Sequence, residues 1–409
     1  MPINSGDTAW LLVSAALVLL MTPGLAFFYG GMVRRKNILS TLMMSFVMIG
    51  VGSLMWVLYG YSLGFGPDVG GIIGNLDFIG LKGVGQAAST VYATTVPQLA
   101  FMIFQCMFAV ITVALITGAV AERIKFSSLL VFAVAWLTLI YSPVAHWVWG
   151  GGWLAKLGAL DFAGGSVVHI NAGVSALALA FLLGKRKGFP QDPMEPNNIP
   201  FVLLGAGILW FGWFGFNAGS ALSSGGLASN AFVTTNTAGA AASLTWMFLS
   251  WRQRKPAVLG AVTGGVAGLA AITPAAGYIT PMAAIAIGVV VSFISYYSLI
   301  FLKGRLKFDD SLDVFACHGM GGIWGVVATG IFATTAVNVA GSGAVDGNWV
   351  QILRQLVMVG AVAGFAFVGT LIIGKVIDKT LGLRVKPVDE TVGLDISQHG
   401  ERAYGGLAR

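Results

Sequence analysis

Apolar residues run through this chain in long blocks, broken by charged or Pro/Gly-rich segments. A helix needs roughly 20 consecutive apolar residues to cross a bilayer. Eleven blocks of that kind begin near Thr8, Ile38, Val96, Ser127, Ser166, Ile199, Asn230, Ala257, Pro281, Asp313 and Trp349. The pattern predicts an all-α integral membrane protein with eleven transmembrane helices. Between the blocks the longest stretches are residues 65–95 and 377–409. Neither amounts to a soluble domain, so function has to reside in the bundle or in the tail.

Composition agrees with this reading: 56% of residues are hydrophobic and 10% charged, against about 25% charged in an ordinary soluble domain. Residues 1–7 carry no basic residue ahead of the first apolar block, so a secretory n-region is missing and the first span is expected to be retained. Cys106 and Cys317 both fall inside predicted spans, which argues no disulfide framework.

Basic residues set the expected orientation, because short loops rich in Lys and Arg stay in the cytoplasm. Arg34, Arg35 and Lys36 follow the first span, Arg123 and Lys125 the third, and Lys185, Arg186 and Lys187 the fifth. Arg252, Arg254 and Lys255 follow the seventh, and Lys303, Arg305 and Lys307 the ninth. The tail adds Lys375, Lys379, Arg384, Lys386, Arg402 and Arg409, while only Lys82, Lys156 and Arg354 lie elsewhere. The N-terminus is therefore expected outside and the C-terminus in the cytoplasm. The net charge of +7 follows from topology and calls for no nucleic-acid partner.

His169 lies eight residues after Asp161 in "DFAGGSVVHINAG", and His318 eight after Asp310 in "DDSLDVFACHGMGG". Five spans separate the two segments, and an odd offset inverts a helix through the membrane. Spans one to five (about 8–187) and six to ten (about 199–334) thus read as an inverted repeat, with a shared site near the bilayer midplane. An eleventh helix at about 349–376 completes a membrane domain over 1–376, leaving a tail at 377–409. If each Asp caps its helix, about 12 Å of helix carries each His toward mid-bilayer.

A lone histidine in an apolar helix is most often a packing residue, and His146, beside Pro143 near a helix end, takes that reading. Paired mid-span histidines at matching repeat positions are a functional signal. No carboxylate stands between them at mid-depth, so whatever crosses there should be neutral or able to become neutral. Burial disfavours a charged imidazole, so His169 and His318 are expected to supply polarity without charge. Most of the 57 glycines read as close-packing positions, among them Gly215, Gly219, Gly264 and Gly268. Most of the 12 Trp and 26 Phe read as interface belt or core. Trp149, next to a glycine run, offers a face that holds a small cation at about 0.5–2 kcal/mol.

The segments "TPGLAFFYGGMVRRKN", "GAVAERIKF", "DFAGGSVVHINAG", "WFGFNAGSA", "ITPAAGY", "HGMGGIWG" and "GLDISQHGERAYG" resemble the ammonium transporter (Amt/Mep/Rh) family, in its bacterial or archaeal Amt branch. The resemblance implies a homotrimer of eleven-helix protomers in the cytoplasmic membrane, serving nitrogen uptake. It implies that Trp149, Phe108 and Ser220 form an external ammonium site, that Phe108 and Phe216 stack as a gate, and that His169 and His318 are the pore's twin histidines. Asp161 becomes the acid that shapes the recruitment region. It also implies a tail that packs under the bundle and helps admit a PII-type signal protein, where residues alone suggest a solvated terminus. No enzymatic activity, cofactor or metal is expected.

Two other readings stand beside it. One is an ion-coupled amine or amino-acid symporter with inverted repeats, using Asn217 and Ser220 at a sodium site. The other is a haem-binding electron carrier with His169 and His318 as axial ligands.

Overall fold

The structure, a computed structural model, describes residues 2–253 and 255–404. Arg254 and Arg409, counted above among the basic residues, lie outside the described residues. Eleven helical segments form the body: α1 Ser5–Met32, α2 Arg35–Phe65, α3 Gln98–Val120, α4 Phe126–Leu157, α5 Gly165–Leu183, α6 Ile199–Gly219, α7 Gly226–Gln253, α8 Val258–Ile272, α9 Pro281–Arg305, α10 Phe315–Phe332 and α11 Val350–Thr380. Every start expected from the apolar blocks falls within four residues of one of these.

Among the described residues, nine of the segments are long and apolar enough to cross a membrane. The exceptions have simple causes: α7 is diluted by Ser229, Asn230, Thr234, Thr235, Asn236 and Thr237, and α8 has only 15 residues. Local chemistry sets several starts. Asn4 caps α1 by accepting from the Asp7 N–H, and Asn198 caps α6 by accepting from the Phe201 N–H. Thr280 caps α9, whose first residue is Pro281, where a missing N–H costs nothing.

The helix α3 is the buried axis, packed against α1, α2 and α5, while α1 lies along α6 and α8 against α7, α9 and α10. The segment α11 wraps the outside, touching α4, α5 and α10. Small residues make the close crossings. A Cβ on Gly215 would meet the Leu17 side chain and the Ser14 carbonyl, and one on Gly264 or Gly268 would press into Trp246 or the Ala238 carbonyl. The glycines read from sequence as packing positions do pack helices.

The end of the chain departs from a solvated terminus. α11 runs to Thr380, four residues past the boundary expected at 376. Two short helices follow, α12 Pro387–Val392 and α13 Leu394–His399, and both are docked on the basic end of the bundle. The Leu394 N–H donates to Asn37 Oδ1 (2.8 Å) and the Ser40 N–H to Asp395 Oδ1 (2.8 Å). Arg384 donates to Glu390 Oε1 and to the Leu183 carbonyl, both at 2.7 Å. Satisfied backbone and buried carboxylates make this a folded cap on the bundle.

Candidate functional site

At the end opposite the basic loops, Phe108 on α3, Trp149 and Ser220 line one cavity of about 240 Å³. Trp149 occupies the turn at 149–152 that interrupts α4. Its indole N–H donates to the Asp161 carbonyl (2.9 Å), and its ring meets Phe108 edge-on at 5.8 Å. Ser220 spends its proton on the Phe216 carbonyl (2.9 Å), which leaves the hydroxyl lone pairs to accept.

The turn is braced from outside. His146 sits fully buried with Nδ1 3.0 Å from the Gly64 carbonyl and Nε2 3.0 Å from Asp68. Asp68 also takes the Lys156 ammonium (2.5 Å) and the Gly71 N–H (2.7 Å). Lys156 and then His146 pull its carboxyl down to about 2. His146 is thus the satisfied packing residue expected of it.

Beneath the cavity the Phe108 and Phe216 rings stack with centroids 4.2 Å apart and close the way down. Below them His169 stacks on Trp213 at 5.5 Å and faces His318, Nδ1 to Nδ1, at 3.3 Å with the rings 17° from parallel. Both imidazoles are buried. Thr273 Oγ1 donates to the Leu269 carbonyl (2.8 Å) and accepts from the Trp213 indole (2.9 Å). Its one proton being spent, the 3.3 Å contact with His169 Nε2 has the imidazole donating. In the neutral pair, His169 Nδ1 is then the acceptor and His318 Nδ1 the donor. The void beside the rings is about 10 Å³, walled by Leu25, Ile111, Leu115 and Leu209, room for about one water-sized molecule. A porphyrin has no place there, which removes the haem reading. Asn217 donates to Thr235 (2.9 Å) and serves the α6–α7 contact.

Asp161 links mouth to pore. Besides its carbonyl bond to Trp149, its carboxylate accepts from the N–H groups of Gly164, Gly165 and Ser166 at 2.8, 2.6 and 2.8 Å, from Val167 at 3.3 Å and from the Ser166 hydroxyl. It holds the start of α5 from four residues ahead. The expected 12 Å of helix is therefore corrected: only the segment from Gly165 is helical, roughly 6 Å to His169 at 1.5 Å per residue. That segment is a π-turn, and a second one, Phe315–Gly319, holds His318. The wider turn shifts each ring relative to a regular helix.

Sequence reasoning singled out no role for Thr273 and Trp213, the residues that orient His169. It read Arg34, Arg123 and Arg186 as topological charges alone. In the fold Glu122 takes Arg34 (2.7 Å) and Arg186 (3.2 Å), and Asp309 takes Arg186 (2.8 Å). Burial alone would push both carboxyls up, and the arginines more than offset it, holding them below their ordinary values.

Residues 9–404 match the model of the Ammonium Transporter Family. The chain belongs to this family. It is 51% identical to the ammonium transporter of Bacillus subtilis (strain 168) over 401 residues, 98% of each chain. It is 50% identical to ammonium transporter Amt1 of Archaeoglobus fulgidus, over 98% of this chain and 100% of that one. Among solved structures, Candida albicans Mep2 superposes with a TM-score of 0.90 at 38% identity, over 98% of this chain and 91% of that one. A multi-pass membrane transporter family thus accounts for the apolar helices, and its relatives carry transporter names.

Proposed function

We propose that this family member carries ammonium across the cytoplasmic membrane by passing it as ammonia. The observation that carries the reading is the stack in line: an aromatic cavity with a free acceptor, a two-phenylalanine gate, then two facing imidazoles in an otherwise apolar passage. Ammonium entering the narrow part intact would lose its hydration at a cost on the order of tens of kcal/mol by a Born estimate. The few cation–π contacts of Trp149 and Phe108, about 0.5–2 kcal/mol each, capture the ion but do not offset that. Release of one proton gives ammonia, which crosses the gate and exchanges hydrogen bonds with His169 and His318. The proton passes to water at the external mouth or takes a separate route.

Eleven crossings with the N-terminus outside follow from the basic loops, all on the face that holds the docked tail. The matched Asp–His segments and the shared π-turns support an inverted five-plus-five repeat, and the family supports a homotrimer. The tail from residue 377 on, tied to the first turns of α2 by Leu394 and Asp395, offers the surface for a PII-type regulator. Purified protein in liposomes should accumulate ammonia down an inward ammonium gradient, and simultaneous current recording separates ammonia alone from ammonia with a routed proton. Liposomes no more permeable than protein-free controls would overturn the reading.

A further inference from the structure

Gln105 lies on α3 one turn before Phe108 and lines the same mouth cavity as Phe108, Trp149 and Ser220. It is 8% exposed, its amide oxygen has no hydrogen-bond partner, and its side chain makes no hydrogen bond to any described residue. Glutamines elsewhere in the interior are engaged. Gln355, for instance, donates to the Leu160 and Val326 carbonyls and accepts from the Leu160 N–H. Burying an amide without a partner is unfavourable, so a free one on the wall of a binding cavity is a ligand-facing group. Rotating this amide to turn its oxygen inward breaks no bond within the protein.

We infer that Gln105 is a further binding residue of the mouth site, its amide oxygen accepting an N–H of the captured cation alongside the Ser220 hydroxyl. Ammonium is a donor only, with four N–H groups, so π faces and one hydroxyl leave it under-bonded. A carbonyl oxygen at i−3 from Phe108 shares the helix face that presents the aromatic ring to the cavity. A bond from a charged donor is among the stronger hydrogen bonds, and it acts on capture, before the gate.

The inference rests on the ammonium-transport reading. Its test is ammonium uptake by liposomes over a range of concentrations, with Gln105→Leu and Gln105→Glu beside the unsubstituted protein. Leucine keeps the shape and removes the acceptor; glutamate keeps an acceptor oxygen. We expect Gln105→Leu to raise the half-saturating concentration about tenfold with its maximal uptake near that of the parent, and Gln105→Glu to stay at or below the parent's half-saturation. Should Gln105→Leu not fold, Gln105→Met takes its place. An unchanged half-saturation in the apolar variant, or equal losses in the apolar variant and Gln105→Glu, would overturn the inference. Absence of uptake by the parent protein would instead overturn the transport reading.

Discussion

Asp161 and Asp310 do the same task at the starts of the two histidine-bearing helices, with unequal support. Asp161 accepts from four backbone N–H groups and a hydroxyl. Asp310 accepts from the Phe315 N–H (2.8 Å) through one oxygen, while its other oxygen is buried without a partner. The pair that looked equivalent in sequence is fully partnered at one end and half partnered at the other.

From the first half of that contrast, Asp161→Ala leaves several buried donors unsatisfied at about 1–3 kcal/mol each. The expected outcome is a sharply lowered thermal midpoint in detergent and loss of ammonium uptake. Asp161→Asn, with one carbonyl oxygen left to accept, should fall between. A variant Asp161→Ala that unfolds with the parent would refute the capping role.

Asp310 supplies a pH dependence. Burial, then the neighbouring Asp313, pushes its carboxyl up to about 6, above the unfolded value near 3.8. The folded state then binds the proton more tightly than the unfolded chain, so this group's stabilising contribution is full below about pH 4 and lost as pH rises through 6. Asn at 310 does not titrate and can still accept from Phe315. The thermal midpoint of the parent relative to Asp310→Asn should therefore drop by a few degrees between pH 4.5 and 7.5. A constant difference across that range would show that Asp310 does not titrate there.

The apolar blocks made the helices legible, because a bilayer-length helix is a local composition signal. The eight-residue Asp–His spacing likewise disclosed the paired histidines. What stayed hidden depends on partners far apart in the chain. Asp395 meets Ser40 across 355 residues and Arg186 meets Asp309 across 123; no local pattern announces either. Thr273 was within view, in "ITPAAGY", but its work is to hold an imidazole 104 residues away. The reach of the Asp161 cap was hidden for another reason: Gly164 takes φ +114, and the carboxylate ahead of it caps by reaching over a loop.

At the mouth, Trp149 and Ser220 supply a π face and an acceptor. The double variant Trp149→Leu with Ser220→Ala should weaken capture at low ammonium, raising half-saturation about tenfold if the two contacts are worth about 1–2 kcal/mol together. Maximal uptake should change less. Uptake curves that superpose on the parent's would place capture elsewhere.

For the tail, removal of residues 390–409 cuts Asp395 from Ser40 and Glu390 from Arg384 without touching α1–α11. The shortened protein should still insert in membranes, yet differ in transport rate or in regulator binding. Wild-type uptake together with normal pull-down of a PII-type protein would return the tail to a passive cover.

The neutral passage makes the strongest demand. Beneath the stacked phenylalanines, a void of about 10 Å³ is lined, among the described residues, by two imidazoles and no carboxylate. Potassium, which cannot shed its charge as ammonium can, meets the full desolvation cost there and is excluded. Replacing His169 or His318 by Asp puts a group that can carry fixed negative charge at that depth and lowers the barrier for a cation. Ionisation of that carboxyl increases with pH, so the leak should grow between pH 6 and pH 8. His169→Ala adds no charge and should not leak. Potassium flux into liposomes bearing each variant, at the two pH values, is the measurement. Potassium passing through the unsubstituted protein as fast as ammonium would end the proposal that the pore conducts a neutral molecule.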